Sequence, residues 1–153
     1  ITRRNHPERH SIEGRFLEMI GTVYHRQGKL EEALAMHRKA IRIYRKTFGS
    51  ANPDVGRAIG DMSEVFMAQG KFEEAIVNFE ESLVILRESL GDMHDIVAST
   101  LCRLAVCKER AGDAAGAVVC AREARMIFTR MIGISDAQTQ AATALLARLE
   151  GSV

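Results

Sequence analysis

The chain has 153 residues, 46% of them hydrophobic, and a formal net charge of +1. That length holds one ordinary domain or a few small repeats around a buried core. The near-neutral balance argues against a general nucleic-acid binder, which concentrates its basic residues on one face. The short basic run Arg3-Arg4 lies near one end and reads as a solvated tail. No apolar run reaches the roughly 18 residues of a membrane span, and no signal peptide is recognisable. Cys102, Cys107 and Cys120 are odd in number and form no CxxC pair. They are expected as buried or half-buried small residues in a reducing, cytoplasmic setting, with no disulfide framework and no zinc knuckle.

In chain order, residues 1–9 are expected as a tail. HPERH at 6–10 sets His6 and His10 four residues apart. A zinc-protease helix needs Glu directly after its first histidine; Pro7 stands there instead, so no metal site is expected. Leu17, Ile20 and Tyr24 then follow at helical spacing, Gly28 breaks the pattern, and Ala33, Leu34, Ile41 and Tyr44 resume it up to Gly49. Asn52 is suited to cap a new helix, and Pro53 to occupy its first turn. Val55, Ile59, Met62 and Phe66 form its apolar stripe. Gly70 ends that helix, and a second runs from about Phe72 to Ser89 with Ala75, Ile76, Phe79, Leu83 and Leu86, stopped by Gly91. The third pair carries Leu101, Leu104 and Cys107, then Val118, Ala124, Ile127 and Phe128. A last helix is expected over about Asp136 to Leu149. The β-branched, period-2 runs of strands are missing.

The hexapeptides GKLEEA (28–33), GKFEEA (70–75) and GDAAGA (112–117) recur every 42 residues. At that period Gly28, Gly70 and Gly112 coincide, as do Gly49, Gly91 and Gly133, and Ile43, Ile85 and Ile127. Small residues recur at Gly21, Ser63, Ala105 and Ala147 and predict close crossings of the two helices. A fixed period of this size signals an all-α solenoid of antiparallel helix pairs, held together by stacking on neighbours. Residues 10–51, 52–93 and 94–134 are its three repeats. Residues 135–150 are a capping helix or the first helix of a fourth, and 151–153 a second tail. The sequence begins at Ile1 inside this pattern, as a fragment of a longer protein would.

A small residue late in the first helix, an aromatic three residues on (Tyr24, Phe66), Gly at the turn and then Ala together resemble the tetratricopeptide repeat (TPR). Its usual period is 34 residues. The longer period here, with AIRIYRKTFGSANPDV (40–55) and SLVILRESLGDMHDIV (82–97), is similar to the kinesin light chain repeats. The resemblance implies a right-handed α-solenoid of three TPR-like repeats plus a C-terminal helix. It further implies a protein-binding scaffold or cargo adaptor whose first helices line a concave groove for an extended peptide. In the kinesin light chain, paired Asn residues in those helices hold the ligand backbone. The matching positions here are Glu18-Met19, Gly60-Asp61 and Cys102-Arg103, so that peptide specificity is not expected. The third repeat also departs, with Lys108 in place of the aromatic and Ala121 where the second has Phe79.

By the repeat phase, the groove side of the first helices carries Arg15, Glu18, Thr22, His25 and Arg26. In the second repeat it carries Arg57, Asp61, Glu64 and Met67, and in the third Ser99, Cys102, Arg103, Val106, Glu109 and Arg110, with Arg148 beyond. This face is mixed in charge. Arg15, Arg57 and Arg103 are candidates for a ladder that receives acidic side chains or backbone carbonyls of a partner; the plain alternative is a solvated face of local ion pairs. His37, in the place of Phe79, is expected as a packed helix residue. No phosphate-binding loop, nucleophile elbow or convergent carboxylate pair occurs, and open solenoid grooves do not exclude water. No catalysis and no cofactor are therefore expected. The expected partner is a protein or peptide, acidic in the ladder reading, with neither nucleic acid nor membrane. The second class of function is self-association: the open solenoid ends, or swapped helices, would join copies of the chain into a homo-oligomer.

Overall fold

The computed structural model describes residues 6–151, and Arg3-Arg4 and the last two residues lie outside them. Among the described residues seven helices occur and no strand: α1 (Pro7–Arg26), α2 (Leu30–Phe48), α3 (Pro53–Ala68), α4 (Phe72–Leu90), α5 (Asp95–Arg110), α6 (Ala114–Ile132) and α7 (Ala137–Glu150). α1 starts at Pro7, inside the segment expected as a tail. Pro7 occupies the first turn, where a missing N–H leaves no intrahelical bond unmade.

The helix ends follow from particular residues. Asn52 Oδ1 accepts from the Asp54 N–H at 2.8 Å to open α3. At the same phase His94 Nδ1 accepts from the Ile96 N–H at 3.1 Å, and Asp136 Oδ1 from the Gln138 N–H at 2.8 Å. Glu31-Glu32 and Glu73-Glu74 fill the first turns of α2 and α4, where negative charge opposes the positive end of the helix dipole. The turn inside each hairpin is a Schellman motif, formed three times. At the first, Gly28 adopts φ +76°, its N–H donates to the His25 carbonyl, and the Lys29 N–H donates to the Tyr24 carbonyl. Gly70 and Gly112 repeat this. A side chain there would meet the left-handed penalty.

α1 packs on α2, α3 on α4 and α5 on α6, and the hairpins stack through α2 on α3, α4 on α5 and α6 on α7. Ala33, Ala75 and Ala117 are fully buried. Gly21 meets the His37 ring, one turn further along α2 than Ala33, and His37 is buried as a packed residue. The core then fills the seams between hairpins with Tyr44, Ile59, Phe79, Leu86, Leu101, Ile127 and Phe128. Fully burying one such side chain contributes about 1.5–3 kcal/mol. Cys107 and Cys120 belong to this core, and Cys102 is half-buried against it.

The seven helices do not form a flat stack. α1 touches α3, α3 touches α5 and α5 touches α7, whereas the backbones of α2, α4 and α6 do not approach one another. Odd-numbered helices thus crowd together and even-numbered ones splay apart. A stack built this way is curved, with α1, α3, α5 and α7 along its inner side.

Candidate functional site: the inner face of the first helices

α1, α3 and α5 present their polar residues on this inner side, and close approaches at glycines of α1 and α3 set side-chain positions. Gly14 is buried against Tyr44; a Cβ on it would lie 2.7 Å from the ring's Cζ, inside van der Waals contact. The bare backbone lets Tyr44 cross beneath α1, and its hydroxyl donates to Glu18 Oε2 at 2.5 Å. Glu18 is only 8% exposed. Arg57 Nη2 stands 3.7 Å from the same oxygen and donates to Asp54 Oδ1 at 2.8 Å. Glu18 Oε1 is buried without a partner among the described residues. Burial pushes the Glu18 carboxyl above the ordinary 4.5, against the pull of Tyr44 and Arg57. The same burial, with the carboxylate beside it, raises the Tyr44 phenol.

Gly60 does for α3 what Gly14 does for α1. A Cβ there would lie 2.9 Å from Arg103 Nη2. The guanidinium instead lies across α3, where Nη1 reaches Asp61 Oδ1 at 3.2 Å and Glu64 Oε1 at 3.6 Å. The Phe79 ring sits beneath it, 5.7 Å from the guanidinium carbon, a cation–π arrangement. In the next step Arg148 donates to Glu109 Oε2 at 2.5 Å. An arginine of each later repeat is thereby tied to carboxylates on the first helix before it.

The expected groove residues fall into three groups. Glu18, Arg57, Asp61, Glu64, Arg103, Glu109 and Arg148 form the ion-pair row just described. Thr22 donates to the Glu18 carbonyl at 3.0 Å; His25, Met67, Ser99, Cys102 and Val106 are half-buried beside the row. Arg15, Arg26 and Arg110 are exposed. The three ladder arginines are therefore unequal, since Arg57 and Arg103 are each engaged with two carboxylates and Arg15 projects into solvent. Repeat phase placed these residues on one face, but the partners of Arg57 and Arg103 were missed. Their signal was Gly14 and Gly60, where the absent side chain leaves room for Tyr44 and Arg103 to cross.

Among the described residues no three His, Cys, Asp or Glu side chains converge as a metal site would require. Burial pushes all three thiols up, Cys102 to about 11, so little thiolate is present at neutral pH. No helix is long and apolar enough to cross a membrane among the described residues.

The family model described as tetratricopeptide repeat matches residues 13–83 and 54–130. No curated protein matches the sequence. Solved structures similar in fold include a kinesin light chain candidate of Podosopora anserina with nearly identical TPR-like repeats, 21% identical with a TM-score of 0.81; the alignment covers 95% of this chain and 67% of that one. BtubC (BKLC) from P. vanneervenii is 19% identical with a TM-score of 0.86, covering 98% of this chain and 59% of that one. The first TPR of Spaghetti (RPAP3), bound to the HSP90 peptide SRMEEVD, is 15% identical with a TM-score of 0.67, covering 93% and 94%. The chain spans about two thirds or less of the length of the first two.

Proposed function

The chain belongs to the tetratricopeptide repeat family, and from that premise we propose that its inner face holds an extended segment of a partner protein. Protein-binding scaffolding is the role of the fold; the peptide-holding groove and a kinesin light chain-like adaptor role are the finer reading. The observation that carries it is the curvature, which gathers the ion-pair row of α1, α3, α5 and α7 on one concave side. Ion pairs on such a face exchange readily with a ligand because exposed pairs hold by 1 kcal/mol or less. A partner carboxylate meets Arg15, which has no ion pair among the described residues, and at Arg57 and Arg103 it displaces a resident one. Selection of a random peptide library against the chain tests this. Recovered peptides should compete with one another and lose about tenfold or more in affinity on Arg57→Ala with Arg103→Ala. Peptides indifferent to both changes would remove the groove.

A second reading, self-association, is favoured by one observation on α1. Phe16, Ile20 and Val23 are half or more exposed, or nearly so, with Phe16 at 59%. At the same phase Ala58, Thr100 and Ala142, Met62, Leu104 and Leu146, and Val65, Cys107 and Leu149 are buried or partly buried against the preceding hairpin. An uncovered apolar stripe of this kind joins copies when concentration allows. Sedimentation velocity should show mass rising with concentration, and Phe16→Ser with Val23→Ser should abolish the rise. A parent chain that stays monomeric throughout removes this reading.

A further inference from the structure

Further uncompensated charge among the described residues lies on the side opposite the groove. Along α2, Arg38, Lys39, Arg42, Arg45 and Lys46 are all exposed. They do not read as a basic run because buried Ala40, Ile41 and Tyr44 separate them. Helical spacing nevertheless puts Arg38, Arg42 and Arg45 in one stripe, at i, i+4 and i+7. Arg45 Nη2 is spent on Glu81 of α4 at 3.0 Å. Arg38 and Arg42 have no ion pair or hydrogen bond among the described residues.

That stripe borders a trough. Because α2 and α4 splay apart, a space of about 400 Å³ opens between them, floored by Ile41, Ile59 and Met62 and closed on the far rim by Glu81. The next step of the solenoid lacks the same chemistry. Glu80 and Val84 stand at the phase of Arg38 and Arg42 there, and Arg87 is held by Glu123 at 2.6 Å. The paired arginines over an apolar floor are therefore not repeated at the second junction.

We infer that this trough receives an acidic amphipathic helix of a partner protein, its apolar side chains over Met62 and its carboxylates on Arg38 and Arg42. Two guanidiniums one helical turn apart match two carboxylates one turn apart on a helix lying alongside. The walls are themselves helices, so a third helix packs between them as ridges into grooves. A flat anionic membrane cannot reach a floor recessed between two helices, and Glu81 on the rim repels it. The site is separate from the inner face, so its success or failure is independent of the proposed groove.

The test uses the chain as it stands and a fluorescein-labelled, alanine-based helical peptide with leucines on one face and glutamates flanking them at one-turn spacing. The control peptide has the same composition in scrambled order. Fluorescence anisotropy should show saturable binding of the patterned peptide, weakened by added salt. Arg38→Glu with Arg42→Glu should lower affinity about tenfold or more, and Lys39→Glu with Lys46→Glu, an equal charge change on the same helix outside the trough, about twofold or less. All four side chains are exposed, and unchanged circular dichroism will show that each variant folds. Equal binding of the scrambled peptide, equal losses in both double variants, or no saturable binding of the patterned peptide overturns the inference. So does sedimentation of the chain with phosphatidylserine-containing vesicles in the absence of peptide binding, which would identify a lipid surface as the occupant.

Discussion

Beneath α1 the side chains of Gly14, Glu18, Tyr44 and Arg57 determine one another. Tyr44 lies under α1 only because Gly14 carries no Cβ, and Glu18 is buried only because the Tyr44 hydroxyl and the Arg57 guanidinium stand against it. Desolvation still dominates, so the folded carboxyl holds its proton more tightly than the unfolded one at about 4.5. Between those two values the folded state binds more protons, and the contribution of Glu18 to stability falls as pH rises through that window. Glu18→Gln keeps an acceptor for Tyr44 and cannot titrate. Its stability relative to the parent should therefore rise by on the order of 1 kcal/mol between pH 4 and pH 7, read from urea midpoints by circular dichroism. A difference independent of pH would mean that Glu18 is ionised and well solvated. None of this was legible in the sequence. Glu18 shares its phase with Gly60 and Cys102, so the repeat places it on the inner face but is silent on a buried partner supplied from α2.

The helices themselves were legible because the chemistry of their ends recurs at a fixed interval. Gly28, Gly70 and Gly112 each close a Schellman turn, and three different side chains, Asn52, His94 and Asp136, cap the helices that begin each later repeat. Asn52 caps with a single strong acceptor, and Asn52→Ala should cost about 1 kcal/mol, measured by the urea midpoint; Asn52→Asp should restore it. A neutral Asn52→Ala would place the burden of that helix start on Pro53. What periodicity could not supply was the start of α1, which has no upstream copy to align with, and the pairing of charges between elements. Arg45 with Glu81 and Arg87 with Glu123 are the same contact one repeat apart, visible in the sequence only once α2, α4 and α6 are known to follow one another along the outer side. The free arginines of α2 were hidden for the related reason that a helix distributes over nine residues what a linear reading seeks in three.

The whole molecule is a line of neighbours, so its stability is a sum of local terms and its two ends are unlike its middle. α3, α4 and α5 are covered on both sides. α1 has α2 against it but leaves Phe16, Ile20 and Val23 in water. α7 is poorer still. It rests on α6 through Thr139, Ala142, Leu146 and Leu149, while Thr143, Ala144 and Ala147 face an open cleft of about 590 Å³ shared with Arg125, Thr129 and Ile134. At that phase α3 and α5 carry Ile59, Gly60 and Ser63, or Leu101, Cys102 and Ala105, against the second helix of their own hairpin; no such helix covers α7 among the described residues. A helix of 14 residues is marginal without packing, so one covered side must hold it. Native-state hydrogen exchange should accordingly give α7 an opening free energy about 2 kcal/mol or more below that of α3–α5, with α1 intermediate. Adding chain that covers Thr143, Ala144 and Ala147 should raise α7 toward the central value and leave α3 unchanged. Uniform protection along all seven helices would contradict a nearest-neighbour stack and require one cooperative core reaching from α1 to α7.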